Sequence, residues 1–126
     1  MIKMKTIILQ NDNEINEIMS TEKYSKYLLQ LSATWCAPCR RIKPSVEQFV
    51  NSIDDSKAVF IYCDIDKCPN IYSYMSVRGI PAFVSIVEND SKLFDVEKIT
   101  SSSIEEVVRF CEHTGFINCD KNAHLV

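Results

Sequence analysis

The segment that most limits the fold is a strongly apolar stretch that gives way abruptly to a helical pattern. Residues 24–33 predict a β-strand whose middle, residues 27–31, is almost continuously apolar. Continuous apolar character indicates burial on both faces, as in the central strand of a sheet. From residue 38 to residue 53 the apolar side chains recur at helical spacing, and Pro44 is expected to kink this helix. The chain therefore predicts a sheet flanked by helices.

The other segments predict strands and helices in alternation. Strands are predicted at residues 6–10, 58–65, 81–88 and 92–99, the last two as an antiparallel hairpin. Helices are predicted after a cap at Asp12, at residues 70–75, and after a cap at Ser102 or Ser103, with Gly115 ending the last one. The order βαβαβαββα predicts one α/β domain with a central mixed β-sheet. We expect the domain to span residues 1–116 and a tail to occupy residues 117–126.

Composition argues against several classes of protein. The 126 residues include 14 Lys and Arg and 17 Asp and Glu, a net charge of −3, which provides no basic face for nucleic acid. No apolar run approaches the roughly 20 residues of a membrane span. The first residues lack the apolar stretch of about 7–15 residues that a secretory signal needs. We therefore expect a cytoplasmic protein without nucleic-acid or membrane partners, whose six cysteines do not form a disulfide framework.

Two cysteines stand close enough to act together, in the sequence Cys36-Ala37-Pro38-Cys39. Cys36 falls where the central strand ends and the helix begins, and the free N–H groups of a helix N-terminus favour a thiolate. We expect its pKa to lie below the value of about 8.5 of a free cysteine, which would make Cys36 a nucleophile at neutral pH. Cys39 follows nearly one turn later, within reach of a mixed disulfide on Cys36. Pro38 suits the first helical turn, and Trp35 offers a partner a flat apolar surface.

The same pair could also be half of a tetrahedral zinc site, which needs two more ligands. Cys63 and Cys68 have the wrong spacing for a second C-x-x-C, and His113 and His124 stand far along the chain. A C-x-x-C between a strand and a helix is the pattern of redox proteins. We therefore favour redox chemistry and expect no metal site.

Three landmarks in the right order resemble the thioredoxin family. Residues 33–40, Ala-Thr-Trp-Cys-Ala-Pro-Cys-Arg, together with Pro44, resemble its active site and the kinked helix that follows. Residues 64–66, Asp-Ile-Asp, look like the end of its third strand, and residues 77–82, Val-Arg-Gly-Ile-Pro-Ala, resemble its cis-proline loop. The resemblance covers residues 6–116.

The resemblance implies a protein-disulfide reductase that contributes to cell redox homeostasis. Cys36 and Cys39 would form the redox-active disulfide, with Cys36 attacking the substrate and Cys39 resolving the mixed disulfide. Pro81 would be cis and face the two sulfurs, and the backbone of Gly79 and Ile80 would pair with an extended substrate. The family further implies that no cofactor is bound and that electrons come from NADPH through thioredoxin reductase. The implied partners are this reductase and disulfide-containing proteins, and we expect a monomer.

Four positions depart from the family pattern. Gln30 stands where thioredoxins usually carry a buried Asp that takes the proton of the resolving thiol, which an amide cannot do. Tyr62 replaces the Lys that accompanies this Asp, Ser32 replaces a frequent Trp, and Ala37 replaces a Gly. We therefore predict that Cys39 loses its proton less readily than usual. Two other functions stay open: a thioredoxin-fold binding or adaptor subunit with weak redox activity, and a thiol oxidase or isomerase.

The other cysteines are interpreted one by one. Cys63 in a buried strand and Cys111 on the inner face of the last helix are expected to be small core residues. Cys68 is expected in a loop on the active-site side, either as a regulatory thiol or as an ordinary exposed cysteine. Cys119 in the tail is expected to be a free thiol.

Overall fold

A computed structural model describes residues 3–118 of the chain and contains one α/β domain. Its elements follow the predicted order βαβαβαββα. They are β1 (Lys5–Ile8), α1 (Glu14–Ser20), β2 (Lys26–Ser32), α2 (Ala37–Asn51), β3 (Ala58–Asp64), α3 (Pro69–Met75), β4 (Ala82–Glu88), β5 (Phe94–Thr100) and α4 (Ile104–His113). The predicted fold class is confirmed.

The five strands form one mixed sheet in the order β1-β3-β2-β4-β5. Strands β1, β2 and β3 are parallel, whereas β4 runs antiparallel to both β2 and β5. The apolar strand β2 lies in the middle of the sheet, as its continuous hydrophobicity predicts, because its two faces are both covered by helices. The carboxyl ends of β2 and β3 therefore open on the same edge, and β2 leads directly into α2 there.

Each face of the sheet has its own core. Leu29 of β2 packs with Ile71 of α3 on one face, where apolar residues of α1 also contribute. Leu28, the next residue, points to the opposite face and packs with Val46 of α2 and Val107 of α4. Successive side chains of a strand alternate between the two faces, so the central strand supplies both cores at once. Because β2 packs in both cores, its carboxyl end is held in place. The loop to α2 begins at this end.

The cap of the first helix differs from the prediction. Asp12 was expected to cap α1, but its carboxylate accepts hydrogen bonds from the N–H groups of Asn70 at 3.2 Å and Ile71 at 2.8 Å, in the first turn of α3. Helix α1 starts instead after Asn13, which makes no side-chain capping bond, and Asn11 accepts from its first N–H at 3.3 Å. The prediction was wrong because the N-terminus of α3 lies beside Asp12 in space although it is distant in sequence.

The last hairpin and the last helix follow the predicted pattern with shifted ends. Strand β5 begins at Phe94, after a turn in which the Asn89 side chain accepts hydrogen bonds from the N–H groups of Ser91 and Leu93. Ser103 is the residue that caps α4, accepting from the N–H of Glu106 at 3.3 Å. These side-chain bonds are local, and they determine where each element begins.

The C-terminal boundary stays a prediction. Gly115 has a φ of +79°, a backbone conformation that ends α4, and Phe116 is buried against the core of the α2 side. The expected tail at 117–126 falls mostly outside the described residues. Cys119 and His124 also lie outside them.

Candidate active site

The two close cysteines lie at the start of α2. Cys36 is the N-cap residue, with an extended backbone (φ −89°, ψ 111°), and its Sγ accepts a hydrogen bond from the N–H of Cys39 at 3.3 Å. Pro38 lies in the first turn, where its lack of an N–H costs no helical hydrogen bond. A sulfur that accepts a helix N–H in this position gains stabilisation as an anion. The predicted position of Cys36 at the strand–helix junction is thus confirmed.

Cys36 and Cys39 form a disulfide, so the structure describes the oxidised protein. Their Cα atoms are 5.3 Å apart, within the usual range for a disulfide of about 4.4–6.8 Å. Cys36 is 6% exposed and Cys39 is nearly fully buried, and both pack with Ala33, Ile65 and Ile80. Both cysteines are therefore buried, and Cys36 is the more exposed of the two.

A loop before β4 forms the opposite wall of the site. The Ile80–Pro81 peptide bond is cis, as the resemblance implies, and the Ile80 carbonyl oxygen lies 3.9 Å from Cys36 Sγ. Gly79 precedes it, and a Cβ added there would lie 3.8 Å from Thr100 Cγ2 of β5. The loop thus presents backbone groups directly beside the more exposed sulfur.

Trp35 provides the apolar surface on the other side of Cys36. Its side chain is 63% exposed, and its indole Nε1–H donates to the Asp66 carboxylate at 2.9 Å. Asp66 is held in turn, because its N–H donates to the Asp64 carboxylate at 2.9 Å. An exposed tryptophan fixed by a hydrogen bond presents a preorganised contact surface. The anchoring by Asp66 was not predicted from the sequence, although the two aspartates follow β3 directly.

The loop between β2 and α2 is further fixed by Arg40. Its guanidinium Nη1 donates to the Thr34 carbonyl at 2.8 Å, and the side chain is exposed. Arg40 and Arg41 were expected to point outward, and both are exposed. Arg40 closes the turn around the cysteine pair, a structural contact that its sequence position alone did not reveal.

Gln30, in the strand that leads to the cysteine pair, is buried and lines a cavity of about 660 Å³. It is 2% exposed, and its Nε2 has no hydrogen-bond partner among the described residues. Tyr62 lies opposite Gln30 on the neighbouring strand β3 and lines the same cavity. Lys43 lines it as well, and its Nζ lies 5.9 Å from the centre of the Tyr62 ring. Gln30 is therefore a buried amide whose donor has no partner among the described residues. Lys43 was not predicted as a residue of this site, because nothing in the sequence distinguishes a lysine one helical turn after Cys39.

The remaining described cysteines are all buried. Cys63 and Cys111 lie in the two cores as expected, and burial raises the pKa of each thiol to about 12. Cys68 lies in the loop between β3 and α3, as expected, but the expected exposure is wrong. It is the N-cap residue of α3 and is 0% exposed, because its side chain packs in the core on the α3 face of the sheet. Burial, followed by the nearby Asp12 carboxylate, raises the pKa of Cys68 as well.

The chain is similar to known proteins in both sequence and fold. The Thioredoxin family model matches residues 5–110. The chain belongs to the thioredoxin family. It is 28% identical over 101 residues to thioredoxin-1 of Schizosaccharomyces pombe, covering 80% of this chain and 93% of that protein. It is 30% identical over 82 residues to a thioredoxin of Ophiophagus hannah, covering 65% and 75%. The crystal structure of Schistosoma mansoni thioredoxin superposes with a TM-score of 0.74 at 24% identity, covering 86% and 94%.

Family membership and the cysteine pair identify a thiol–disulfide oxidoreductase that reduces protein disulfides. Thioredoxins carry no prosthetic group. Across residues 3–118 no group of three or more His, Cys, Asp or Glu side chains is arranged to hold a metal ion, and the sulfurs of a zinc half-site are here bonded to each other. None of the helices described has the length and apolar character needed to cross a bilayer.

Proposed function

We propose that this thioredoxin reduces protein disulfides with Cys36 as the attacking thiol and Cys39 as the resolving thiol. The Cys36 thiolate attacks one sulfur of the substrate disulfide, so that a mixed disulfide forms and the other substrate sulfur leaves as a thiolate. Cys39 then loses its proton and attacks Cys36 Sγ. The Cys36–Cys39 disulfide forms, and the second substrate sulfur leaves as a thiolate. Two electrons pass from the cysteine pair to the substrate in one cycle.

The assignment of the two roles rests on one observation. Cys36 Sγ accepts a hydrogen bond from the helix N–H of Cys39, and Cys36 is the more exposed of the two cysteines, at 6% against 2%. The thiolate favoured by the helix N-terminus therefore belongs to the cysteine nearer the protein surface. Ala37 and Pro38 keep the two cysteines in one helical turn.

The substrate-binding surface in this proposal has two parts. Trp35, held by Asp66, contacts the apolar part of the substrate on one side of Cys36. On the other side, the backbone of Gly79 and Ile80, positioned by Pro81, pairs with an extended substrate segment. A substrate strand laid along this loop brings its disulfide to Cys36 Sγ.

The oxidised pair must be reduced again for turnover. We infer that the electrons come from NADPH through a thioredoxin reductase, which makes this reductase the second partner besides disulfide-containing proteins. We further propose that the protein acts as a monomer in the cytoplasm and uses no bound cofactor. We propose no regulatory role for Cys68.

The direct test is reduction of insulin disulfides with NADPH and thioredoxin reductase, and in parallel with dithiothreitol as electron donor. We expect turnover by the wild-type protein with both donors and none above background with Cys36→Ser. A Cys39→Ser variant should accumulate the mixed disulfide with substrate, which is detectable by mass. Activity that survives in Cys36→Ser, or a mixed disulfide trapped on Cys39 in place of Cys36, would contradict the assignment of the two cysteines.

One observation favours an alternative, an adaptor subunit with weak redox activity. The buried position beneath the site carries the amide of Gln30, which cannot accept the proton of Cys39. The alternative predicts that wild-type protein stays inactive with dithiothreitol, and that Cys39→Ser captures one stable partner by non-covalent contacts that reductant does not release. Activity with dithiothreitol but not with thioredoxin reductase would instead mean that the natural electron donor is a different one.

A further inference from the structure

A small cavity lies next to the loop that is proposed to hold the substrate backbone. It has a volume of about 300 Å³ and is lined by Ser76, Val77, Arg78, Lys98, Ile99 and Thr100. Arg78 directly precedes Gly79 and Ile80, and Thr100 pairs with Ala82 across the sheet. The cavity therefore lies on the same loop as the Ile80 carbonyl that faces Cys36.

The charge of this cavity is entirely positive. Its two ionisable lining residues are Arg78 and Lys98, both exposed, and no acidic side chain lines it. Within residues 3–118, no carboxylate lies within ion-pair distance of either cation. Arg78 and Lys98 thus combine two positive charges without a neutralising partner.

The position of Lys98 is fixed by the fold. Its Nζ donates a hydrogen bond to the Met75 carbonyl at the end of α3, so that β5 is fastened to that helix. Ser76, the residue that follows α3, has a left-handed backbone (φ 51°). The helix ends there, and the chain continues to Arg78. Arg78 lines the same cavity as Lys98. A lysine that already donates to a carbonyl retains two N–H groups for a ligand.

The distance from the cysteine decides which part of a substrate would reach the cavity. Arg78 stands two residues before Ile80 in a bent segment, so the Cα atoms of the two residues are at most about 7 Å apart. A substrate paired in extended form covers about 6.6 Å in two residues, and its side chains two positions apart point to the same side. A substrate whose cysteine lies beside Ile80 therefore places the residue two positions away from that cysteine next to Arg78.

We propose that Arg78 and Lys98 form a subsite for an acidic side chain, two residues from the reactive cysteine of a disulfide substrate. The carboxylate of an Asp or Glu accepts hydrogen bonds from the guanidinium and the ammonium, and guanidinium and carboxylate groups match in geometry. The subsite selects among disulfide substrates and does not take part in thiol exchange. It rests on the proposed pairing of the substrate with residues 79 and 80.

The test compares matched peptides that each carry one disulfide, with Glu or Gln two residues before or after the cysteine. The reduced protein is mixed with each peptide, and the second-order rate constant for disulfide reduction is measured at low ionic strength. For the better of the two positions we expect the Glu peptide to react about 2–5-fold faster per cation contacted, the range of exposed ion pairs. The ratio should approach one in 0.5 M salt, where screening is strong.

Variants separate the subsite from general electrostatic attraction. Arg78→Gln and Lys98→Gln should each lower the Glu-to-Gln rate ratio about 2–5-fold while the Gln peptide reacts at the wild-type rate. Arg109→Gln removes the same charge from an exposed position on α4 and should leave the ratio unchanged. Equal rates for the two peptides in wild type, or an equal fall of the ratio in Arg109→Gln, would overturn the proposal. Failure of both peptides to react would contradict the proposed function as well, so the two failures are distinguishable.

Discussion

Cys36 and Cys68 occupy the same kind of position in two neighbouring parts of the molecule. Each is the N-cap residue of a helix, and each helix has a proline in its first turn. Cys36 follows the end of β2, and Cys68 follows the end of β3, so both lie near one edge of the sheet. These shared features alone do not distinguish the two cysteines.

Their surroundings separate them. Cys36 is 6% exposed and its Sγ accepts a helix N–H, whereas Cys68 is 0% exposed and makes no side-chain cap. The N–H groups at the start of α3 donate to Asp12, whose negative charge also raises the pKa of Cys68. A helix N-terminus therefore activates a cysteine under two conditions. The sulfur must itself accept a hydrogen bond from the first N–H groups of the helix, and it must be accessible to the substrate.

The largest expected effect is on the rates of alkylation of the reduced protein. Iodoacetamide at pH 7 should modify Cys36 at least about a hundredfold faster than Cys68, because a buried thiol reacts only after local opening and its thiolate is disfavoured. The measurement is mass spectrometry of peptides after timed quenching. The same reaction in strong denaturant serves as the control, since there the two rates should become similar. Comparable rates in the native protein would break the comparison.

Cys39 tests a different part of the comparison, because it is buried like Cys68 yet must react. Gln30→Asp replaces the buried amide by a carboxylate that can take a proton. We expect resolution of a preformed mixed disulfide to be at least about tenfold faster at pH 7, as for an added general base. Stability should fall, because the new charge is buried.

The matched control for that experiment is Gln30→Asn, which has the size of Asp but remains an amide. Its rate of mixed-disulfide resolution should stay close to that of the wild-type protein, measured by rapid mixing with a fluorescent substrate. Equal rates for the Asp and Asn variants would mean that Cys39 does not depend on a base at this position.

Sequence patterns predicted the parts of this molecule that depend on neighbouring residues. The apolar run of β2, the C-x-x-C at a strand end and the Ile80–Pro81 pair are all local signals, and the structure contains the elements they indicated. The Ser103 cap of α4 is likewise local, because its acceptor and donor are three residues apart.

Contacts between distant residues could not be predicted in this way. Asp12 bonds to the N-terminus of α3 at sequence separations of 58 and 59, and Trp35 bonds to Asp66 at a separation of 31. Cys68 was misjudged for the same reason, since its burial depends on how α3 packs against the sheet. The unpaired cations of the cavity beside residue 79 come from α3–β4 and β5, which only the fold brings together.

Alkaline pH offers a measure of how strongly a buried thiol resists ionisation. Burial raises the pKa of Cys111 from 9.0 to about 12, so between these values the unfolded chain loses a proton that the folded protein keeps. This contribution to stability is complete below pH 9 and is lost as pH rises towards 12. At pH 10 the loss should reach about 1.4 kcal/mol relative to pH 7, since one pKa unit corresponds to about 1.36 kcal/mol.

The variant that isolates this loss is Cys111→Ala, which has no thiol to ionise. Its deficit in free energy of unfolding relative to wild type should be about 1.4 kcal/mol smaller at pH 10 than at pH 7. Urea denaturation of the reduced proteins at both pH values provides the comparison. The difference between the two proteins cancels the titration of the tyrosines and lysines they share. A deficit that does not change with pH would mean that Cys111 ionises with little hindrance.

The smallest expected effect concerns Asp12, which distinguishes the two helix N-termini most directly. Asp12→Ala removes both hydrogen bonds to the start of α3 and should lower the free energy of unfolding by about 1 kcal/mol, as for a lost N-cap. Asp12→Asn keeps an acceptor oxygen but not the charge, so it should retain most of that stability and still lower the pKa of Cys68. Asp54→Ala, at an exposed position before β3, is the control for loss of a carboxylate.

The two readouts separate capping from charge. Urea denaturation reports stability, and the pH dependence of Cys68 alkylation reports its pKa. If Asp12→Ala and Asp12→Asn destabilise the protein equally, the negative charge near the helix N-terminus matters more than the hydrogen bonds. If neither variant changes the pH dependence of Cys68 alkylation, burial alone keeps this thiol unreactive. Cys36 and Cys68 would then differ only in solvent access, and the contrast between their helix caps would have no chemical consequence.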